Sequence, residues 1–238
     1  MEQNIPLIPS KVLLINKPYT WSSFHVVNKI KYAVKKQFYK ENPDFKGKIK
    51  PKVGHAGTLD PLATGLLIVC IGKETKNIEK YQAEDKEYTG TFFLGATTPC
   101  YDLEKEIDAH YPIDHITPEM IEEARKKFEG FNHQIPPIFS AIKVDGRRAY
   151  KIARSGKEAE LKAREIYISE FKITRIALPE VDFSISCSKG TYIRSLARDF
   201  GEALHSGAHL TKLCRTRIGE FKLSDAIEID DLEKTLSQ

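Results

Sequence analysis

The chain has 238 residues, 41% of them hydrophobic, which suffices for one large domain or two small ones with a packed core. Lys and Arg outnumber Asp and Glu by four (37 minus 33), too small an excess to establish a nucleic-acid partner by itself. No stretch approaches the ~20 apolar residues of a membrane-spanning helix. Met1-Glu2-Gln3-Asn4 lacks the basic start of a signal peptide. Cys70, Cys100, Cys187 and Cys214 form no Cys-x-x-Cys pair. A cytosolic chain with reduced cysteines is expected, Cys70 and Cys187 lying in apolar strand patterns.

In chain order, Lys11 to Ile15 reads as a strand that ends at the turn Asn16-Lys17-Pro18. Ser22 and Ser23 are candidate N-caps for a helix whose Val26, Val27, Ile30 and Val34 share a face. Asn42 to Lys52, with Pro43, Gly47 and Pro51, is a basic loop. Leu66 to Ile71, bounded by Gly65 and Gly72, is an apolar run expected as a buried strand. Tyr88 to Leu94 is strand-like. Thr117-Pro118 predicts an N-cap and a first helical residue, with Ile121, Ala124 and Phe128 on one face until Gly130. Val181, Phe183, Ile185 and Cys187 alternate with polar residues, as in a half-buried strand. A further helix is expected from about Tyr192 to His205, with Ile193, Leu196, Phe200 and Leu204 as its apolar stripe and Gly207 beyond its end. Strands and helices mix without a βαβ repeat. The fold class is therefore α+β, with a mixed, largely antiparallel central sheet flanked by helices.

Charge is segregated along the chain. Lys29 to Lys52 holds nine lysines against Glu41 and Asp44, and Lys143 to Arg164 holds eight basic residues against three acids. Either block alone fits a solvated surface. Two blocks flanking one acidic motif favour an RNA backbone as partner. The segment 131–162, with Pro136-Pro137 and little core pattern, reads as an insertion over one side of the core.

The acidic motif is His55-Ala-Gly57-Thr-Leu-Asp60-Pro61-Leu-Ala-Thr-Gly65-Leu-Leu67. Asp60 is its one carboxylate, on a loop made permissive by Gly54, Gly57 and Gly65 and biased to extended geometry by Pro61. A loop carboxylate anchored by a rigid strand suits catalysis or binding. A structural Asp-Pro turn fits the residues equally well.

This motif resembles the catalytic motif of the TruB-type tRNA pseudouridine synthases. Val12 to Pro18 with Ser22-Ser23, Lys86-Glu87-Tyr88, Phe139 to Lys143, Cys187 to Arg194 and His209 to Gly219 resemble further motifs of that family, so the resemblance covers most of the chain. It implies the pseudouridine synthase catalytic fold, with the insertion gripping RNA like a thumb. It also implies isomerisation of uridine 55 in the tRNA T loop after base flipping. The catalytic residues it implies are Asp60, Tyr88 and Arg194. Tyr88 would stack on the uracil or move a proton at C5. Arg194 would pair with Asp60 and hold it ionised. Lys17 would support the active-site loop, and His55 and Gly57 the space of the flipped nucleotide. Tyr192 would line the pocket, Leu213 would form an apolar wall, and Lys143, Arg147 and Arg148 would meet phosphates. Without the resemblance, Tyr88 reads as a core aromatic, and Lys17 and Arg194 as surface residues.

The resemblance implies no metal and no organic cofactor. The i, i+4 pair His205 and His209, split by Gly207, does not argue otherwise. The expected partner is the T-arm stem-loop of tRNA, bound by a monomer without an obligate protein partner. Departures from the family pattern are Phe139 for a usual Tyr and Pro99 for a frequent Asp. Family members often add a small C-terminal RNA-binding (PUA) domain. With Gln238 soon after the last motif, a single catalytic domain over 1–238 is expected without it. A tRNA-binding folding factor and a guide-RNA-dependent dyskerin-type synthase are the competing readings.

Overall fold

The computed structural model describes residues 10–140, 142–144, 146–149, 152 and 161–236. The strands are β1 (Lys11–Lys17), β2 (Val53–Ala56), β3 (Thr64–Ile71), β4 (Lys86–Leu94), β5 (Ala96–Thr97), β6 (Ala109–His110), β7 (Gly130–Gln134), β8 (Lys143–Val144), β9 (Arg147–Arg148), β10 (Arg164–Ala177), β11 (Glu180–Cys187), β12 (Ala208–Ile218), β13 (Phe221–Lys222) and β14 (Ile227–Glu228). The α-helices are α1 (Ser23–Glu41), α2 (Ile78–Ala83), α3 (Pro118–Lys127), α4 (Ile193–Ala203) and α5 (Leu232–Leu236). They fall into two compact units, Met1–Glu84 with Cys214–Gln238, and Asp85–Leu213.

In the first unit β3 is the central strand. β1 runs antiparallel to it, with Ile15 opposite Leu67, and β2 is antiparallel as well, with His55 opposite Val69. The end of β12 pairs with it in parallel through Cys214–Thr64 and Arg215–Gly65. β3 is buried on both faces, which explains its unbroken apolar run. On one face Leu67, Val69 and Ile71 pack with Val26, Val27, Ile30 and Val34 of α1; on the other Leu66, Ile68 and Cys70 pack with Ala56 and Ile218. Full burial of each such Val, Ile or Leu contributes roughly 1.5–3 kcal/mol. Helix α1 starts where the Ser22 hydroxyl accepts the His25 N–H at 3.1 Å. It ends where Asn42, ahead of Pro43, donates from its amide side chain to the Phe38 carbonyl at 2.8 Å.

In the second unit β4, β11, β10 and β7 are successive antiparallel neighbours, with Tyr88 opposite Ile185 and Tyr167 opposite Phe131. The alternation in β11 places Val181, Phe183, Ile185 and Cys187 inward. Phe92 stacks on Phe183 at 4.2 Å between ring centroids, and Phe171 and Phe200 complete the aromatic core. Helix α3 begins as predicted, with the Thr117 hydroxyl accepting the Met120 N–H at 3.3 Å and Pro118 as its first residue.

The sheets are mixed and mostly antiparallel, in agreement with the α+β expectation. Two details differ. Helix α4 stops at Ala203, and the left-handed position after it belongs to His205 (φ 53°), not to a glycine. The first residues of the 131–162 segment are β7, a strand of the sheet, because Phe131 to Gln134 pair with Arg164 to Tyr167. Among the described residues no helix is long and apolar enough to cross a membrane.

Candidate active site

The aspartate loop joins β2 to β3 in the first unit. Gly57 opens it at φ +91° and Gly65 closes it at φ +99°, conformations that a side chain strains. At Gly65 a Cβ would also run into the backbone carbonyl of Arg215 and lie 2.7 Å from its N. Between the glycines, the Ala63 N–H donates to the Asp60 carbonyl at 3.1 Å, making a tight turn with Pro61 at its second position. Asp60 itself is half-buried.

Three side chains hold this loop. Ser23 is 1% exposed, accepts the Leu59 N–H at 2.9 Å and donates to the Leu59 carbonyl at 3.1 Å. The two adjacent serines thus divide the work, Ser22 capping α1 and Ser23 latching the loop. Lys17 is fully buried, not a surface lysine. Its amine donates to the carbonyls of Trp21 (2.6 Å), Pro18 (3.0 Å) and Pro61 (3.3 Å). Burial lowers its pKa to about 8, with Arg215 pushing the same way and the Asp60 charge opposing. Arg215 is 1% exposed and donates to the carbonyls of Leu66 (2.8 Å) and Gly57 (3.1 Å). His55, on β2, has its pKa lowered by burial first and by Arg215 second, with a backbone hydrogen bond to Gly57 opposing. It is therefore neutral at pH 7.

In the second unit Arg194 is buried at the start of α4, contrary to the surface reading of a helix arginine. It donates to the carbonyls of Phe139 at 2.9 Å and Cys100 at 3.3 Å, and its Nε lies 3.7 Å from Asp102 Oδ2. Asp102 is nearly as buried. Within its own unit the carboxylate beside Arg194 is Asp102. The segment Thr98–Asp102 is fixed locally. The Thr98 hydroxyl donates to the Asp102 carbonyl at 2.7 Å, and Tyr101 between the two acceptors adopts φ +64°. Arg198, one turn along α4, lies over the Tyr101 ring at 5.1 Å.

Tyr192 is the N-cap residue of α4. Its N–H donates to Gln134 Oε1 at 2.8 Å, while Gln134 Nε2 donates back to its carbonyl at 3.1 Å. Tyr88 is buried on β4 and Leu213 is half-buried on β12. Lys143, Arg147 and Arg148 lie on the β8–β9 hairpin, where Lys143 is opposite Arg148 and Gly146 takes φ +78°. Their side chains, and residues 150–151 and 153–160 of the same basic block, lie outside the described part. In the other block the lysines are exposed except Lys31, and Lys36 pairs with Glu233 at 2.8 Å.

The structure brings Lys17, His55, Gly57 and Asp60 together in one unit, and places Tyr88, Tyr192, Arg194 and Leu213 in the other. Sequence reasoning missed Arg215, Asp102 and Gln134 as site residues. Arg215 stood within a motif as a mere continuation, and Asp102 lay beyond the irregular Pro99.

Residues 44–193 match the family described as TruB family pseudouridylate synthase (N terminal domain), and 194–238 match the tRNA pseudouridylate synthase B C-terminal domain. The chain belongs to the TruB family of pseudouridine synthases. It is 54% identical over 228 residues to the tRNA pseudouridine synthase B of Phocaeicola vulgatus, covering 96% of this chain and 94% of that protein. With its counterpart from Flavobacterium johnsoniae it shares 55% over 229 residues, covering 96% and 97%. In fold it is similar to a chain of a Cbf5–Nop10–Gar1 complex (TM-score 0.69, 28% identity), matching 94% of this TruB-family chain and 53% of that one. It thus spans about half the length of that neighbour, but nearly all of its bacterial relatives.

Proposed function

We propose that this pseudouridine synthase isomerises uridine 55 in the T loop of tRNA, with Asp60 as the reacting carboxylate. The N1–C1′ bond breaks, the uracil turns, a C5–C1′ bond forms, the C5 proton leaves, and N1 takes up a proton. Product and substrate are isomers, so no oxidant, reductant or water is consumed. The observation that carries this reading is the anchoring of the Asp60 loop by three buried side chains, Ser23, Lys17 and Arg215, none of which an ordinary Asp-Pro turn requires. Such fixed placement is what a group reacting with a positioned base needs.

In this reading Arg194 serves the reaction as a fixed positive charge, and the carbonyl and Asp102 contacts support it by setting the guanidinium plane. Tyr88 faces the uracil and serves the proton transfer at C5, Tyr192 lines the pocket, and Leu213 excludes water. His55, neutral, and Gly57 bound the space of the flipped nucleotide. Lys143, Arg147 and Arg148 contact phosphates of the T arm. The enzyme acts as a monomer on tRNA alone. Relatives of near-equal length, named for tRNA, favour the stand-alone enzyme over the guide-dependent type.

The test is incubation with a T-arm stem-loop carrying tritium at uridine C5. Stoichiometric tritium release from the position-55 uridine is expected. Tight binding without release would leave an RNA-folding factor as the better reading.

A further inference from the structure

We infer that Arg215 is a positioning residue for the reaction: its buried guanidinium staples the two ends of the half-buried Asp60's loop. This rests on the reading of Asp60 as the reacting group. Gly57 and Leu66 bracket the loop, and Arg215 donates to both carbonyls, from Nη2 to Gly57 and from Nε to Leu66. Its backbone pairs with Gly65, so close that no side chain fits there. One residue of β12 therefore holds the loop at entry and exit by its side chain and at exit by its main chain.

A structural filler explains this poorly. Burying a guanidinium costs several kcal/mol unless charge compensates it, and both described acceptors are neutral carbonyls. A methionine would fill similar volume without that cost. Lys17 also registers Arg215 and Asp60 as neighbouring charges of opposite sign. The cost is recovered if a carboxylate is held ionised and immobile nearby.

The experiment compares R215K, R215M and D60N on the T-arm stem-loop, measuring kcat, KM, melting temperature and RNA affinity. R215K keeps a cation but replaces the planar fork that reaches both carbonyls with a single donor nitrogen, and is the variant to follow where R215M does not fold. The expected result is a fall in kcat of about tenfold or more for R215K, with KM and RNA affinity within about twofold, and faster amide exchange at Thr58 to Ala63. R215M, where folded, loses more. Wild-type kcat in R215K, or an activity loss that merely follows melting and is restored by cooling, overturns the inference while an inactive D60N leaves the Asp60 reading standing. An active D60N overturns both.

Discussion

The Asp60 loop and the start of α4 solve opposite problems. In the first, a carboxylate sits on a permissive loop and buried side chains from β1, α1 and β12 reach in to hold its backbone. In the second, the functional group is itself the donor, and a strained segment, Thr98–Asp102, together with Phe139, presents the acceptors. The loop is therefore stiffened by what surrounds it, whereas Arg194 is fixed by what it grips. Disturbing the first should alter rate more than stability. Disturbing the second should alter both.

The largest effect expected on stability is at Asp102. D102N removes the buried carboxylate 3.7 Å from Arg194 Nε while the carbonyl acceptors of Arg194 remain, a loss of roughly 1–3 kcal/mol. Urea unfolding measures it. A change below about 1 kcal/mol would mean that the carbonyls alone hold Arg194 and that the two regions are built alike.

Next comes D60E. The staples prevent the loop from retreating to absorb one added methylene, so kcat should fall about 100-fold, or about 2.7 kcal/mol, with the melting temperature little changed. Near-wild-type kcat would show a loop that adapts.

Lys17 gives a pH signature confined to the first region. Its pKa is lowered from 10.5 to about 8. As pH rises through 8 the folded protein loses a cation beside Asp60, and single-turnover rates should fall there. The stability effect has the opposite sign. Between about 8 and 10.5 the unfolded chain retains a proton that the folded one has released, so Lys17 adds stability as pH rises. A flat rate profile to about pH 9.5, well above that folded-state value, would remove Lys17 from the site's electrostatics.

The smallest effect per substitution belongs to the β8–β9 hairpin. Neutralising Lys143, Arg147 or Arg148 singly should reduce the slope of log K against log[salt] by about 0.7–0.9 for each phosphate that is no longer neutralised, leaving kcat nearly unchanged. Unchanged slopes would place the RNA elsewhere.

The same contrast explains what was legible. The Asp60 loop lies within a short contiguous motif whose glycines, proline and following apolar run each carry a local reason. Helix α1, β3, α3 and β11 were equally readable, because periodicity and caps are local signals. Arg194 could be picked out only by resemblance, and its acceptors at Cys100, Asp102 and Phe139 are scattered over residues with no common period. Burial of Lys17 and Arg215 was illegible for the same reason: a lone cation reads as surface, and only the tertiary fold supplies the carbonyls that make its burial tolerable. Gly207 was expected beyond the end of α4, but His205 takes the left-handed position there.

The most direct measurement is single-turnover tritium release by D60N beside its equilibrium affinity for the T-arm stem-loop. Asp60→Asn keeps the loop's volume, its staples and the basic surface, and removes only the carboxylate. Affinity within a few-fold of wild type with no detectable release is the expected result. Release at a wild-type-like rate would show that the carboxylate on which the loop is centred does not carry the chemistry.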